Sequence, residues 1–169
     1  MMARVLVVYA TKSGSAEGVA RSIGDGLAED GHAVVVSSAD DSPVPAGFDA
    51  VFVGSGVRVG TWHAPARRWL AAHAAVLQTV PVALFTVCLT MATDPDKADE
   101  VRAYTDTLIA ESSLIPVEIG VFAGMNDPAR FSLAERLVMK ALKAPVGDFR
   151  DPDVAASWAR ATATEMGIA

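Results

Sequence analysis

The sequence predicts an α/β fold, a parallel sheet covered by helices on both faces. Three observations predict it. Short, nearly continuous apolar runs recur along the 169 residues, and helical spacing follows them. The runs are rich in β-branched residues and lack the in–out alternation of a half-exposed sheet, as strands covered on both faces do. Hydrophobic residues make up 51% of the chain, enough for a sizeable core in one domain spanning 1–169.

The elements follow in order. Arg4–Tyr9 (RVLVVY) is the first strand. Ala16–Asp30 is a helix with Val19, Ala20, Ile23 and Leu27 on one face and Gly31 just past its end. Ala33–Ser37 is the second strand, and the polar loop ADDSPVPAG leads from it to the third, Ala50–Gly54. Ala64–Leu77 is helical, with Trp69, Leu70, His73 and Leu77 on one side. Val82–Cys88 is the fourth strand, Asp96–Glu111 a continuous helix, and Val117–Phe122 the fifth strand. A last helix runs from about Asp153 to Met166, opened by Asp151-Pro152. The segment 124–148 breaks this rhythm. It contains PARFSLAERLVMKALKAP, an extra helix that a five-stranded fold does not need.

Several functions are excluded or disfavoured. A net charge of −6 argues against nucleic acid as the main partner, because phosphate contacts need clustered Lys and Arg. The single cysteine, Cys88, allows no intrachain disulfide and no Cys-rich metal site. His32, His63 and His73 are scattered without ligand spacing, so no metal site is expected. There is no GxSxG elbow. No apolar run approaches the ~20 residues that span a bilayer. The first residues lack a secretory cleavage pattern, so the expectation is a cytoplasmic chain that begins here.

Ligands of such sheets bind beyond the carboxyl ends of the strands, where the strand order reverses. After the first strand come Thr11, Lys12, Ser13, Gly14, Ser15 and Ala16. Thr11, Ser13 and Ser15 offer hydroxyls, Gly14 permits a tight turn, and the loop empties into a helix N-terminus that attracts anions. This describes a phosphate cradle; an ordinary N-capping loop would read the same way. The order is neither that of a P-loop nor of a GxGxxG fingerprint. After the third strand come Ser55, Gly56, Val57, Arg58, Val59, Gly60, Thr61, Trp62 and His63. Glycines let backbone approach a flat ligand, and Trp62 could stack on a ring; the competing reading packs Trp62 on the core. After the fourth strand, Thr86, Val87, Cys88 and Leu89 are apolar enough to wall an aromatic ring, although Cys88 also reads as a small buried hydrophobe.

Together these three loops resemble the flavodoxin family. The resemblance covers nearly the whole chain. It implies a three-layer sandwich with strand order 2-1-3-4-5, a helical insertion after strand five, and FMN as cofactor. The family's first loop reads roughly [ST]-x-[ST]-G-x-[ST], and here Ala16 replaces the last hydroxyl. The phosphate is then expected among Thr11, Lys12, Ser13, Gly14, Ser15 and Ala16. The isoalloxazine is expected between Ser55–Trp62 (with Gly56, Val57, Arg58, Val59 and Gly60) and Thr86–Leu89 (with Val87 and Cys88).

Within the family, VFVGSGVRVGTWHAPARRWLAAHAAVL and the insertion are similar to bacterial menaquinone-dependent protoporphyrinogen oxidases (dehydrogenases). That similarity implies an oxidoreductase of heme biosynthesis, passing electrons from a porphyrinogen-type substrate to a quinone. The insertion is less basic and less aromatic than in those enzymes. Its Phe131, Leu133, Leu137, Val138 and Leu142 mix with Arg130, Arg136, Lys140 and Lys143, a composition that could cover a cofactor or touch the inner face of a membrane peripherally. Two alternatives remain at this level: an electron carrier between partner proteins, and a flavodoxin-like interaction module without FMN. The Ala-rich helices could also support a homodimer.

Overall fold

In a computed structural model that describes residues 2–169, the chain builds its sheet around β1 (Arg4–Ala10). Parallel pairing runs outward from it through β2 (Ala33–Ser38) on one side and β3 (Ala50–Arg58), β5 (Val82–Cys88) and β6 (Ile119–Ala123) on the other. The order β2-β1-β3-β5-β6 is the 2-1-3-4-5 arrangement expected from the sequence. A two-residue strand, β4 (Thr61–Trp62), folds back antiparallel on the end of β3.

Each strand splits its side chains between two cores. Val5, Val7, Phe52 and Phe85 face one side, under α1 (Ser15–Glu29) and α7 (Pro152–Glu165). Leu6, Val8, Val51, Val53 and Leu84 face the other, under α2 (Ala64–Leu77), where Trp69 and Leu70 are buried. Trp158 of α7 closes the first core by packing edge-on against Phe52 and Phe122. Helix α7 starts where its sequence says it should. Asp151 accepts hydrogen bonds from the Asp153 and Val154 amides, and Pro152 fills the first turn.

Two expectations need correction. Strand β3 does not end at Gly54 but continues to Arg58, so the Gly-rich segment is a hairpin rather than a loose crossover loop. The continuous helix expected over Asp96–Glu111 is broken. A short helix α3 (Thr90–Thr93) precedes it, and the 3₁₀ turn Ala103–Thr105 divides α4 (Ala98–Arg102) from α5 (Asp106–Ser112). The Thr105 hydroxyl donates to the Arg102 carbonyl at 2.9 Å within this turn. The 124–148 insertion forms a small antiparallel pair, β7 (Met125–Asn126) with β8 (Gly147–Asp148), carrying α6 (Leu133–Ala141). Among the described residues, no helix is long and apolar enough to cross a membrane.

Candidate functional site

The loop after β1 is a closed backbone turn. Gly14 sits at the head of α1 with φ 91° and no side chain caps the helix's first amides. The Thr11 Oγ1 instead accepts the Gly14 amide at 2.9 Å, which fixes the turn. An anion met here would find unmodified helix N–H groups and the positive end of the helix dipole. Ala16 contributes its amide alone, because its methyl group lies in the core.

Ser15 behaves differently from its neighbours. Its hydroxyl accepts the Met125 amide at 3.1 Å and faces the Met125 carbonyl at 3.2 Å. In this structure the Ser15 hydroxyl pins β7 to the loop. Ser13, 3.3 Å from Ser15 Oγ, and Thr11 are the remaining hydroxyls.

Three cations converge on this turn. The Lys12 Nζ meets Glu135 Oε1 of α6 at 2.5 Å. Arg130 donates to the Ser13 carbonyl at 3.1 Å, and Arg150 to the Gly14 carbonyl at 3.4 Å. A Cβ added at Gly14 would lie 2.5 Å from the Arg130 Nη1, so only glycine fits the cradle as it stands. Each cation also has a carboxylate: Glu135, Asp127 and Asp148 respectively. The pairing holds Glu135 well below the usual carboxylate range, at about 2, chiefly through the hydrogen bond from Lys12. Asp148 is likewise lowered to about 2 by Arg150. The turn is thus neutral overall but rich in N–H donors. Arg130 and Arg150 are 117 and 136 residues from their partners in this loop, and no local signal in the sequence joins them.

In the second loop Trp62 follows the competing reading and packs on the core. Trp62 is only 2% exposed and offers no open stacking face. Its indole N–H donates to the Thr86 hydroxyl at 2.9 Å, so Thr86 is internal as well. Ser55 is fully buried, accepting the His63 amide at 2.9 Å and donating to the Gly56 carbonyl at 2.7 Å. The reason is the hairpin. Pairing β4 with β3 turns Trp62 inward onto the α2 core. Its tip, Val59-Gly60, has positive φ at both residues (50° and 69°), and Val59 is 95% exposed. A β-branched residue in that region is strained by roughly 1–2 kcal/mol.

The aromatic that does stand at this edge is Tyr104, which the sequence did not single out. Its ring lies 3.6 Å from where a Gly60 Cβ would be. Burial raises its hydroxyl pKa, with the nearby Cys88 and Glu100 adding to the effect. Cys88 and Leu89 are half-buried, Val87 is core, and Arg58 is exposed at the hairpin. His63 is half-buried, its Nε2 2.9 Å from a Cβ placed on Gly56. Burial lowers its pKa, and the Lys12 and Arg58 charges lower it further, so the imidazole is neutral at pH 7.

A parallel sheet in this order, with an N–H-rich turn at the end of its first strand, defines a doubly wound protein, a class whose ligands sit beyond the carboxyl ends of the strands. The chain belongs to the flavodoxin domain family, whose model matches residues 6–153, and flavin binding is a trait of that family. A protoporphyrinogen IX dehydrogenase [quinone] of Leishmania major is 26% identical over 88% of this chain, which spans 65% of that protein. The protein of the same name from Escherichia coli K12 is 22% identical over 81% of this chain and 77% of its own. Among solved structures, flavodoxin 1 of Bacillus cereus superposes with a TM-score of 0.62 at 14% identity, covering 95% of this chain and 97% of that one. That likeness speaks for the fold.

Proposed function

We propose that the chain is an FMN-dependent oxidoreductase that passes electrons from a reduced substrate, of the porphyrinogen class, to a quinone. The observation that carries this reading is the turn at Thr11–Ala16, where uncapped helix amides, two hydroxyls and three cationic side chains meet. The residues fit the phosphate of FMN: Gly14 supplies a backbone without a Cβ, Thr11 and Ser13 supply hydroxyls, and the head of α1 supplies free amides, beside Lys12 and Arg150 in their ion pairs with Glu135 and Asp148. When bound, FMN supplies the redox chemistry.

The protein's own residues would do the rest. The Val57–Gly60 hairpin and the Val87–Leu89 segment would wall the ring, with Tyr104 rather than Trp62 as the aromatic neighbour. His63, kept neutral by burial, has an unprotonated ring nitrogen that can accept a proton at this edge. The names of the two relatives support the substrate class and the quinone.

Anaerobic mixing of the FMN-loaded protein with protoporphyrinogen and a menaquinone analogue tests the reading. Porphyrin fluorescence that grows only with quinone present is the expected result. A protein that holds FMN but forms no porphyrin beyond the rate without protein is an electron carrier instead.

A further inference from the structure

Helix α6 is amphipathic, but it faces the wrong way for a globular surface. None of its residues is buried. Glu135 points to the body of the protein, held by Lys12. Leu133 and Leu137 lie two residues to either side of Glu135, hence about 200° around the helix. They are 77% and 69% exposed, and Val138 and Leu142 are exposed beside them. An ordinary surface helix buries this stripe.

The unpaired charges around the stripe are basic. The insertion, residues 124–148, carries four cations and three acids in a chain of net charge −6. Each acid is paired: Asp127 with Arg130, Glu135 with Lys12 and Asp148 with Arg150. Arg136, Lys140 and Lys143 form no ion pair among the described residues. The helix is well formed without a partner, closed by a capping box between Ser132 and Glu135.

We propose that the Leu133/Leu137 face of α6 docks on an anionic lipid surface, with Leu133, Leu137 and Leu142 entering the acyl boundary and Arg136, Lys140 and Lys143 meeting headgroup phosphates. Leucines flanked by long basic side chains suit that interface, where stems bury and charges stay wet. A second copy of the chain fits less well. Two such faces would bring their cations together, and a nine-residue helix offers far fewer than the ~20–30 residues a side of a stable interface. The Lys12–Glu135 pair places α6 against the loop that ends β1. Docking therefore turns the carboxyl end of the sheet toward the bilayer, where a quinone dissolves; in that respect the inference deepens the quinone reading above.

Co-sedimentation of the whole chain with quinone-free vesicles of equimolar phosphatidylcholine and phosphatidylglycerol tests it. Binding to these vesicles is expected. It should fall about tenfold or more in the Leu133→Ser/Leu137→Ser variant and by a similar factor in Arg136→Glu/Lys140→Glu. It should also fall on phosphatidylcholine alone. Four results would overturn the proposal: no wild-type binding, binding unchanged by the leucine variant, equal binding to neutral vesicles, or a dimer that the leucine variant dissolves. Circular dichroism of both variants, whose substitutions are all exposed, establishes that they fold. Because no flavin or quinone is present, failure here leaves the redox reading standing, and failure of that reading leaves vesicle binding intact.

Discussion

Helices α1 and α6 both carry an apolar stripe and both abut the turn at Gly14, yet they spend that stripe in opposite ways. Helix α1 buries Val19, Ala20, Ile23 and Leu27 against the sheet and α7. Helix α6 buries nothing and shows its leucines to the outside. The difference lies in what holds each helix. Apolar packing holds α1, whereas one ion pair and a capping box tie down α6. Amphipathic spacing alone reports that a face exists, not what it faces. In α1 the stripe is stability; in α6 it is a surface.

Breaking α1 should have the largest effect. Ile23 is fully buried, and Ile23→Ala should cost about 2–5 kcal/mol through lost transfer energy and a cavity, read by urea unfolding. Gly26→Ala comes next. A Cβ there would lie 2.8 Å from the Ala156 Cβ and 2.9 Å from its Cα, so α1 and α7 must separate. The steric cost of about 1–3 kcal/mol should outweigh the roughly 0.5–1 kcal/mol that alanine gains in a helix. A stabilised variant would show that the helices are not in such close contact.

The attachment of α6 should yield to acid before the core does. Glu135 has a folded-state pKa of about 2 against an ordinary 4.5. A depressed carboxyl contributes stability that is fully present above its unfolded value and is lost as pH falls through the folded one. Fluorescence of a dye on α6 should therefore hold steady down to about pH 4.5 and change between there and pH 2. Loss of the contact above that window would contradict the pairing. The smallest effect belongs to Leu137→Ser, which should change unfolding free energy by no more than about 0.5 kcal/mol, because its side chain is mostly exposed. A larger loss would mean that α6 is buried in solution.

These contrasts also mark what could be read from the amino acids. The strands and the turn at Gly14 were legible, because β-branched runs and a Gly-containing hydroxyl loop before a helical stripe are local patterns; the strand order came from the resemblance to flavodoxins. The hairpin after β3 was not. GSGVRVGTW is interrupted by three glycines, and the inward turn of Trp62 comes from the pairing of β4 back on β3. The convergence of Arg130 and Arg150 on the cradle was hidden for the same reason, since it arises only when the insertion folds back over β1. Helix 96–111 is divided by the 3₁₀ turn Ala103–Thr105, a tightening that apolar spacing does not register.

The central claim is that the Thr11–Ala16 turn is built for a phosphate, and paired titrations with FMN and riboflavin test it most directly. The two ligands share a ring and differ by that group. The account predicts saturable quenching of FMN fluorescence at one site, weakened by Gly14→Ala, and riboflavin binding at least about tenfold weaker, as expected for loss of a charge-assisted contact. Equal affinity for the two flavins, or no quenching of either, would contradict it.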